Sequence, residues 1–185
     1  MSAIADRVAS THPAPGAGPS AAWTCALAAA LVEMVSGVEL AKDSADPGVA
    51  QDRRDRAVAL RTRALELADA DVAAYSAVLE ERRHRKEKGH SAHLRDALSA
   101  AAEPPLQIVE AAAEVARLAA DAAAEAHGAV RGEAYTAVIL AEAVTRAGLP
   151  LVDLNLGGAP ADPRHERVRE LAESARADLA RALGG

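Results

Sequence analysis

Apolar positions along this chain recur at steps of three and four and almost never alternate, which is the period of helices packed on one face. Leu65, Ala68, Val72, Tyr75 and Leu79 make one such stripe within a long charged stretch from about 50 to 88. Ile108, Ala112, Val115 and Ala119 mark a helix from about 103 to 126, and Tyr135, Val138, Ile139 and Glu142 share one side of another from 133 to 147. Val168, Leu171, Ala175, Leu179 and Ala182 mark a last amphipathic helix reaching Leu183, with Asp162 placed to cap it. Ser20 reads as the N-cap of an alanine-rich helix from about 21 to 41, and Ser91 as that of a short helix to about Ala102. Ile4 and Val8 suggest a short helix within residues 2–10.

The breaks fall where turn chemistry is dense. "THPAPGAGP" ends the first helix, "KDSADPG" (42–48) forms a turn, and Gly89 closes the long charged segment. "EPP" (103–105) opens the next helix, since proline is tolerated in a first turn. "HGAVRG" (127–132) is the following connection, and "GLP" (148–150) is expected to end or kink its helix. "LVDLNLGG" after it fits either a further helix or extended chain.

Composition narrows this picture. Half of the 185 residues are hydrophobic, yet only 2% are aromatic and Phe is absent. Alanine, the best helix former, supplies much of the apolar total, so the helices must pack closely with few large side chains between them. The expected fold is all-α: one domain over residues 1–185, an antiparallel bundle of five or six helices, with a short helix and a Pro/Gly loop in residues 1–19. Alanine-rich helices bury little area each, so a homodimer is expected. The net charge of −6 argues against broad nucleic-acid binding, which needs a basic face. Cys25 is the only cysteine, which excludes an internal disulfide and a cysteine zinc cluster. The start of the chain does not read as a signal peptide, and the apolar run Ala21–Val32 is too short to span a bilayer. A cytoplasmic protein without membrane attachment is expected.

Candidate chemistry gathers in a few places. Gly16, Gly18 and Ser20, in "PAPGAGPSAAWTCALAAALVEMV", can offer backbone N–H groups at a helix N-terminus to a ring edge or an anion, or can serve only as a loop and cap. Arg82, Arg83, Arg85 and Lys86 form a basic run that suits either an anionic ligand or a solvated helix end. Glu133 is a first-turn acid, favoured there by the helix dipole with or without a catalytic role. Asp69 and Asp71 read as surface acids unless the fold turns them inward. His90 and His93 have a ligand-like spacing but no supporting acidic set, so no metal site is expected.

In order and spacing these segments resemble the cyclodeaminase/cyclohydrolase family of folate enzymes. The resemblance rests on the Pro/Gly loop with its Leu-Val-x-Met-Val helix, "DVAAYSAV" (71–78), "AAEPPLQI", "AYTAVILAEAV", and Asn155–Leu156. It covers nearly the whole chain and implies a helical-bundle dimer that binds a reduced folate. It implies opening or closing of a C–N bond in a methenyl- or formimino-tetrahydrofolate, as a cyclic-amidine hydrolase or an ammonia-lyase. No cofactor is implied beyond the tetrahydrofolate substrate itself. By resemblance Glu133 is the catalytic carboxylate, and Gly16, Gly18, Ser20, Tyr75 and Lys86 bind substrate. The chain departs from the family pattern at Ala17, which replaces a loop glycine, at Pro19, inserted before Ser20, and at Glu133, which stands for an aspartate. These departures leave two alternatives open: a divergent member acting on another small molecule, and a non-catalytic helical dimer.

Overall fold

A computed structural model describes residues 2–41, 47–84, 90–128, 130–157 and 159–184. Every regular element among them is helical: α1 Ser2–Val8, α2 Ala17–Leu40, α3 Pro47–Arg83, α4 His90–Ala101, α5 Glu103–Glu125, α6 Val130–Asn155 and α7 Arg164–Leu183. Beyond the seven-residue α1, six helices build the bundle, as the periodicity predicts. α3, α2, α6 and α7 follow one another as neighbours in that order, and α5 packs against all four. α4 packs mainly on α3 and closes one end.

Small residues make the packing possible. The main core holds Ala22, Ala28, Ala29, Ala57, Ala64, Ala112, Ala116, Ala119, Ala137 and Ala141, with Val32, Leu67, Ile108, Val115, Leu118 and Val138 among them. Gly148 shows how close the helices run: a Cβ built there would lie 2.1 Å from Val109 Cγ2 across the α5–α6 contact.

Several boundaries differ from the sequence reading. α2 starts at Ala17, with Gly16 as its N-cap residue, so Ser20 lies inside the first turn rather than at the cap. Its hydroxyl donates back to the Gly16 carbonyl at 2.7 Å. Pro19 is accommodated because first-turn N–H groups have no intrahelical partner to lose. α6 begins at Val130 and runs through Pro150 to Asn155; Pro150 is exposed on the solvent side, where water can satisfy the carbonyl that the missing N–H releases. The N-cap residue of α7 is Pro163 rather than Asp162, and Asp162, one residue earlier, accepts the Arg164 backbone N–H through Oδ1 at 3.0 Å. The expectation for the apolar run of α2 also changes. As a 24-residue helix it is long and apolar enough to cross a membrane by length and composition, and half of that window is buried inside the bundle.

The largest correction concerns the face of α3. Leu65, expected in the core, is 45% exposed. Ala68 is buried as expected and Val72, Tyr75 and Leu79 are half-buried, but the inward stripe is centred on Ala50, Arg53, Ala57, Leu60, Ala64, Leu67, Asp71, Ala74 and Val78, a regular alternation of three and four. Ile139 likewise faces out. Arg53 is buried and satisfied on three sides. Its Nε donates to Ser36 Oγ at 3.0 Å, Nη1 to Glu125 Oε2 at 2.9 Å, and Nη2 to Glu39. This node ties α2, α3 and α5 together at one end of the bundle. Burial raises the pKa of Glu39 despite the adjacent guanidinium.

Gly148→Ala sets two effects against each other. Better helix propensity contributes about 1 kcal/mol, whereas overpacking on Val109 costs about 1–3 kcal/mol. The variant should therefore unfold more easily in urea, and in a Val109→Ala background the same change should become stabilising.

Candidate active site

Where the start of α2, the last third of α3 and the end of α6 converge, they enclose a cavity of about 380 Å³. That size suits a small-molecule site. One wall is the loop and first turn of α2, with Pro13, Gly16, Ala17 and Gly18. The opposite wall is α3, with Asp71, Tyr75 and Arg82. Leu98 and Ala101 of α4 and Pro105 of α5 close the base, and Leu151, Leu154 and Asn155 of α6 form the remaining side.

Each polar group has a structural reason for its place. Asp71 and Tyr75 are four residues apart on α3 and so project from one face. Asn155 donates from Nδ2 to the Ala101 carbonyl at 2.9 Å, which satisfies a helix-end carbonyl and fixes the amide beside the cavity. Arg164 holds the α4 wall from outside: it donates to the Ser99 carbonyl at 2.8 Å and to Ser99 Oγ at 2.7 Å. Its two side-chain bonds to Asp162 hold that carboxyl well below the usual range. The N-terminal end of α2 opens onto the cavity, where Ala17 and Gly18 carry N–H groups of the unpaired first turn.

Asp71 is the group with chemistry in reserve. Burial pushes its carboxyl up to about 6 from an ordinary value of 3.8. No hydrogen bond or ion pair with a described residue offsets this. Gly18 is what lets the carboxyl sit there, since a Cβ at that position would lie 2.3 Å from Asp71 Oδ1 and 2.4 Å from Cγ. Arg82 lines the same cavity, and no acid among the described residues pairs with it.

Of the residues expected at the site, Gly16, Gly18 and Tyr75 do line this cavity. Ser20 lies one turn inside α2, outside the lining, and its hydroxyl is engaged with Gly16. Lys86 and Arg85 fall outside the described residues, as does the side chain of His90. Glu133 sits in the first turn of α6, while the cavity meets the last turns of the same helix; about 27 Å of helix axis separates Glu133 from Leu151. Glu133 Oε2 is buried without a hydrogen-bond partner, near the cluster of Val35, Ala126 and Ala134. Within one chain it cannot reach a ligand held by Asp71. The sequence alone reads Asp71 as a surface acid unless the fold turns it inward, as it does here, groups Arg82 with a basic run and gives Asn155 no role at a site. The available signal was the α3 stripe, which places Asp71 four residues beyond Leu67 on the inward side.

Comparison with known proteins agrees with this architecture. Over its full length the chain superimposes on 91% of a solved formiminotetrahydrofolate cyclodeaminase from Thermotoga maritima, with a TM-score of 0.83 at 22% identity. No curated protein sequence matches it. The family model described as formiminotransferase-cyclodeaminase matches residues 1–174, and with nearly the whole chain covered, this protein belongs to that family.

Proposed function

We propose that the cavity between α2, α3 and α6 is the active site of a folate-type cyclodeaminase or cyclohydrolase, with Asp71 as its acid–base group. The observation that carries the reading is a half-buried, unpartnered carboxyl, pushed up to about 6, at the wall of a cavity of small-molecule size. Family membership supports the substrate class, a tetrahydrofolate carrying a formimino or methenyl carbon.

Both reactions need proton transfer at one amidine carbon. In the deaminating direction, N10 attacks the formimino carbon and loses its proton, and the nitrogen of the former imine gains protons and leaves as ammonia. In the hydrolytic direction, water attacks the methenyl carbon and gives up a proton, the bond to one ring nitrogen breaks as that nitrogen takes a proton, and the remaining hydroxyl releases its own proton to solvent as the formyl C=O forms. A carboxyl poised near 6 can accept the first proton and return the second at neutral pH. The first-turn N–H groups of Ala17 and Gly18 suit the polar edge of a ring, and Tyr75 and Leu151 offer it apolar surface. Arg82, at the far end of the α3 wall, suits the carboxylate of the substrate's glutamate. The helical axis from Asp71 to Arg82 is about 16 Å, and the arginine side chain leans back toward the N-terminus, which shortens the span.

Loss of methenyltetrahydrofolate absorbance and release of ammonia from the formimino substrate test the assignment. Asp71→Asn should lower kcat at least a hundredfold, while Glu133→Gln keeps it within about threefold. Equal losses in the two variants would contradict it. Arg82→Ala should raise KM about tenfold for substrates that carry the glutamate and leave KM unchanged for an analogue without it.

Stability should move in the opposite direction from activity. The folded state holds the Asp71 proton up to about pH 6, whereas the unfolded chain releases it near the ordinary value of 3.8. The stabilising effect of the protonated form is therefore complete at low pH and is lost as pH rises through that window. Asp71→Asn should melt above the wild type at pH 8 and level with it at pH 4, as followed by circular dichroism.

A further inference from the structure

Asn155 holds a fixed polar atom at the cavity that the proton transfers do not use. The reason lies in the sequence where α4 turns into α5. A helical carbonyl takes the backbone N–H four residues on, or three in a tighter turn. For Ala101 those residues are Pro105 and Pro104, and neither has an N–H to give. The neighbouring groups are bonded along the chain: the Ala102 N–H donates to the Leu98 carbonyl at 3.1 Å, and the Leu106 N–H to the Ala102 carbonyl at 3.2 Å. Ala101 is buried, where an unpaired carbonyl is costly. The Asn155 side chain supplies the missing donor through Nδ2 at 2.9 Å.

That bond decides which way the amide points. Only its nitrogen can donate to a carbonyl, so the proline pair fixes the orientation of Asn155 and leaves Oδ1 for another partner. No described residue donates to Oδ1. Nor is that oxygen closed off, since the described side-chain atoms that are both buried and unpartnered are Glu39 Oε1, Glu133 Oε2 and His165 Nε2. Asn155 lines the cavity, so it offers an acceptor there that cannot become a donor without releasing Ala101. The first turn of α2 offers the same cavity the N–H groups of Ala17 and Gly18. A ring that satisfies both walls carries a carbonyl toward α2 and an N–H donor toward α6.

We propose that Asn155 is a specificity-determining residue of this site, whose pinned Oδ1 accepts a hydrogen bond from the 2-amino group of the substrate's pyrimidine ring. The inference rests on the folate reading above, because that ring carries a 4-oxo group for the α2 wall and a 2-amino group for the α6 wall. The 2-amino group is remote from N5 and N10, which hold the reacting carbon, so the contact at Asn155 and the proton transfer at Asp71 fall on different parts of the substrate. A ring with a methyl group in place of the amino group would leave Oδ1 facing carbon, with the desolvation of that oxygen uncompensated.

Calorimetric titration of the full chain with tetrahydrofolate and with its 2-desamino-2-methyl analogue, under nitrogen, reads this contact without turnover. Wild type should bind tetrahydrofolate about tenfold more tightly than the analogue, and Asn155→Leu should bind the two within about twofold of each other. If Asn155 only braces the end of α4, the variant weakens both ligands by the same factor and keeps the ratio, which overturns the proposal. Circular dichroism shows whether Asn155→Leu remains helical, and Asn155→Ala gives the same comparison where it does not. Equal affinity of wild type for the two ligands overturns the proposal without any variant and leaves the folate reading standing. A wild type that binds neither ligand overturns both.

Discussion

Close approach between helices lined with alanine and glycine is the constraint on which this fold depends. A core with so few large side chains can reach native packing density only if the helix backbones come near one another. The contact of Gly148 with Val109 and that of Gly18 with Asp71 are two results of the same closeness. The first holds α5 against α6. The second brings a carboxyl under the first turn of α2, where a larger residue would push it away. The cavity is therefore a product of the packing rule that builds the bundle, placed where the start of α2 meets α3 and the end of α6.

The inward stripe of α3 contains two charged residues, and their treatment differs. Arg53 has a hydroxyl and two carboxylates around it, which removes most of the penalty of burying a guanidinium. Asp71 has no such compensation and retains its proton to near-neutral pH. A charged residue in a core stripe with full partners organises structure; one without partners beside a cavity is available to a ligand. This contrast, within one helix, separates the Arg53 end of the bundle from the end that holds the cavity.

Much of the fold was legible in the sequence because a 3.6-residue period survives in an alanine-rich chain. The helices of residues 103–125 and 164–183 and the absence of strand patterning follow from that period and from Pro and Gly placement. The phase of α3 was harder to read. Leu65 and Tyr75 suggested one stripe, whereas the actual one runs mainly through alanines, which carry little hydrophobic contrast, and admits Arg53 and Asp71. The Pro/Gly loop and Tyr75 were recognisable as cavity wall. The place of Glu133 was not, because family order along the chain does not report that the start and end of α6 lie a helix length apart. Pro150 left an end or a kink open, with helix or extended chain to follow, and the helix continues: a proline on the exposed side of a long helix need not end it when water can serve the freed carbonyl.

The central claim is that Asp71 is a proton-holding group inside the cavity. Its most direct measurement is an NMR titration of the aspartate side-chain carboxyl carbons, with Asp71 assigned from the spectrum of Asp71→Asn. A midpoint near 6 for that resonance is the result the account predicts. A midpoint near 3.8 would mean a solvated carboxylate, ionised throughout the neutral range, and would contradict it.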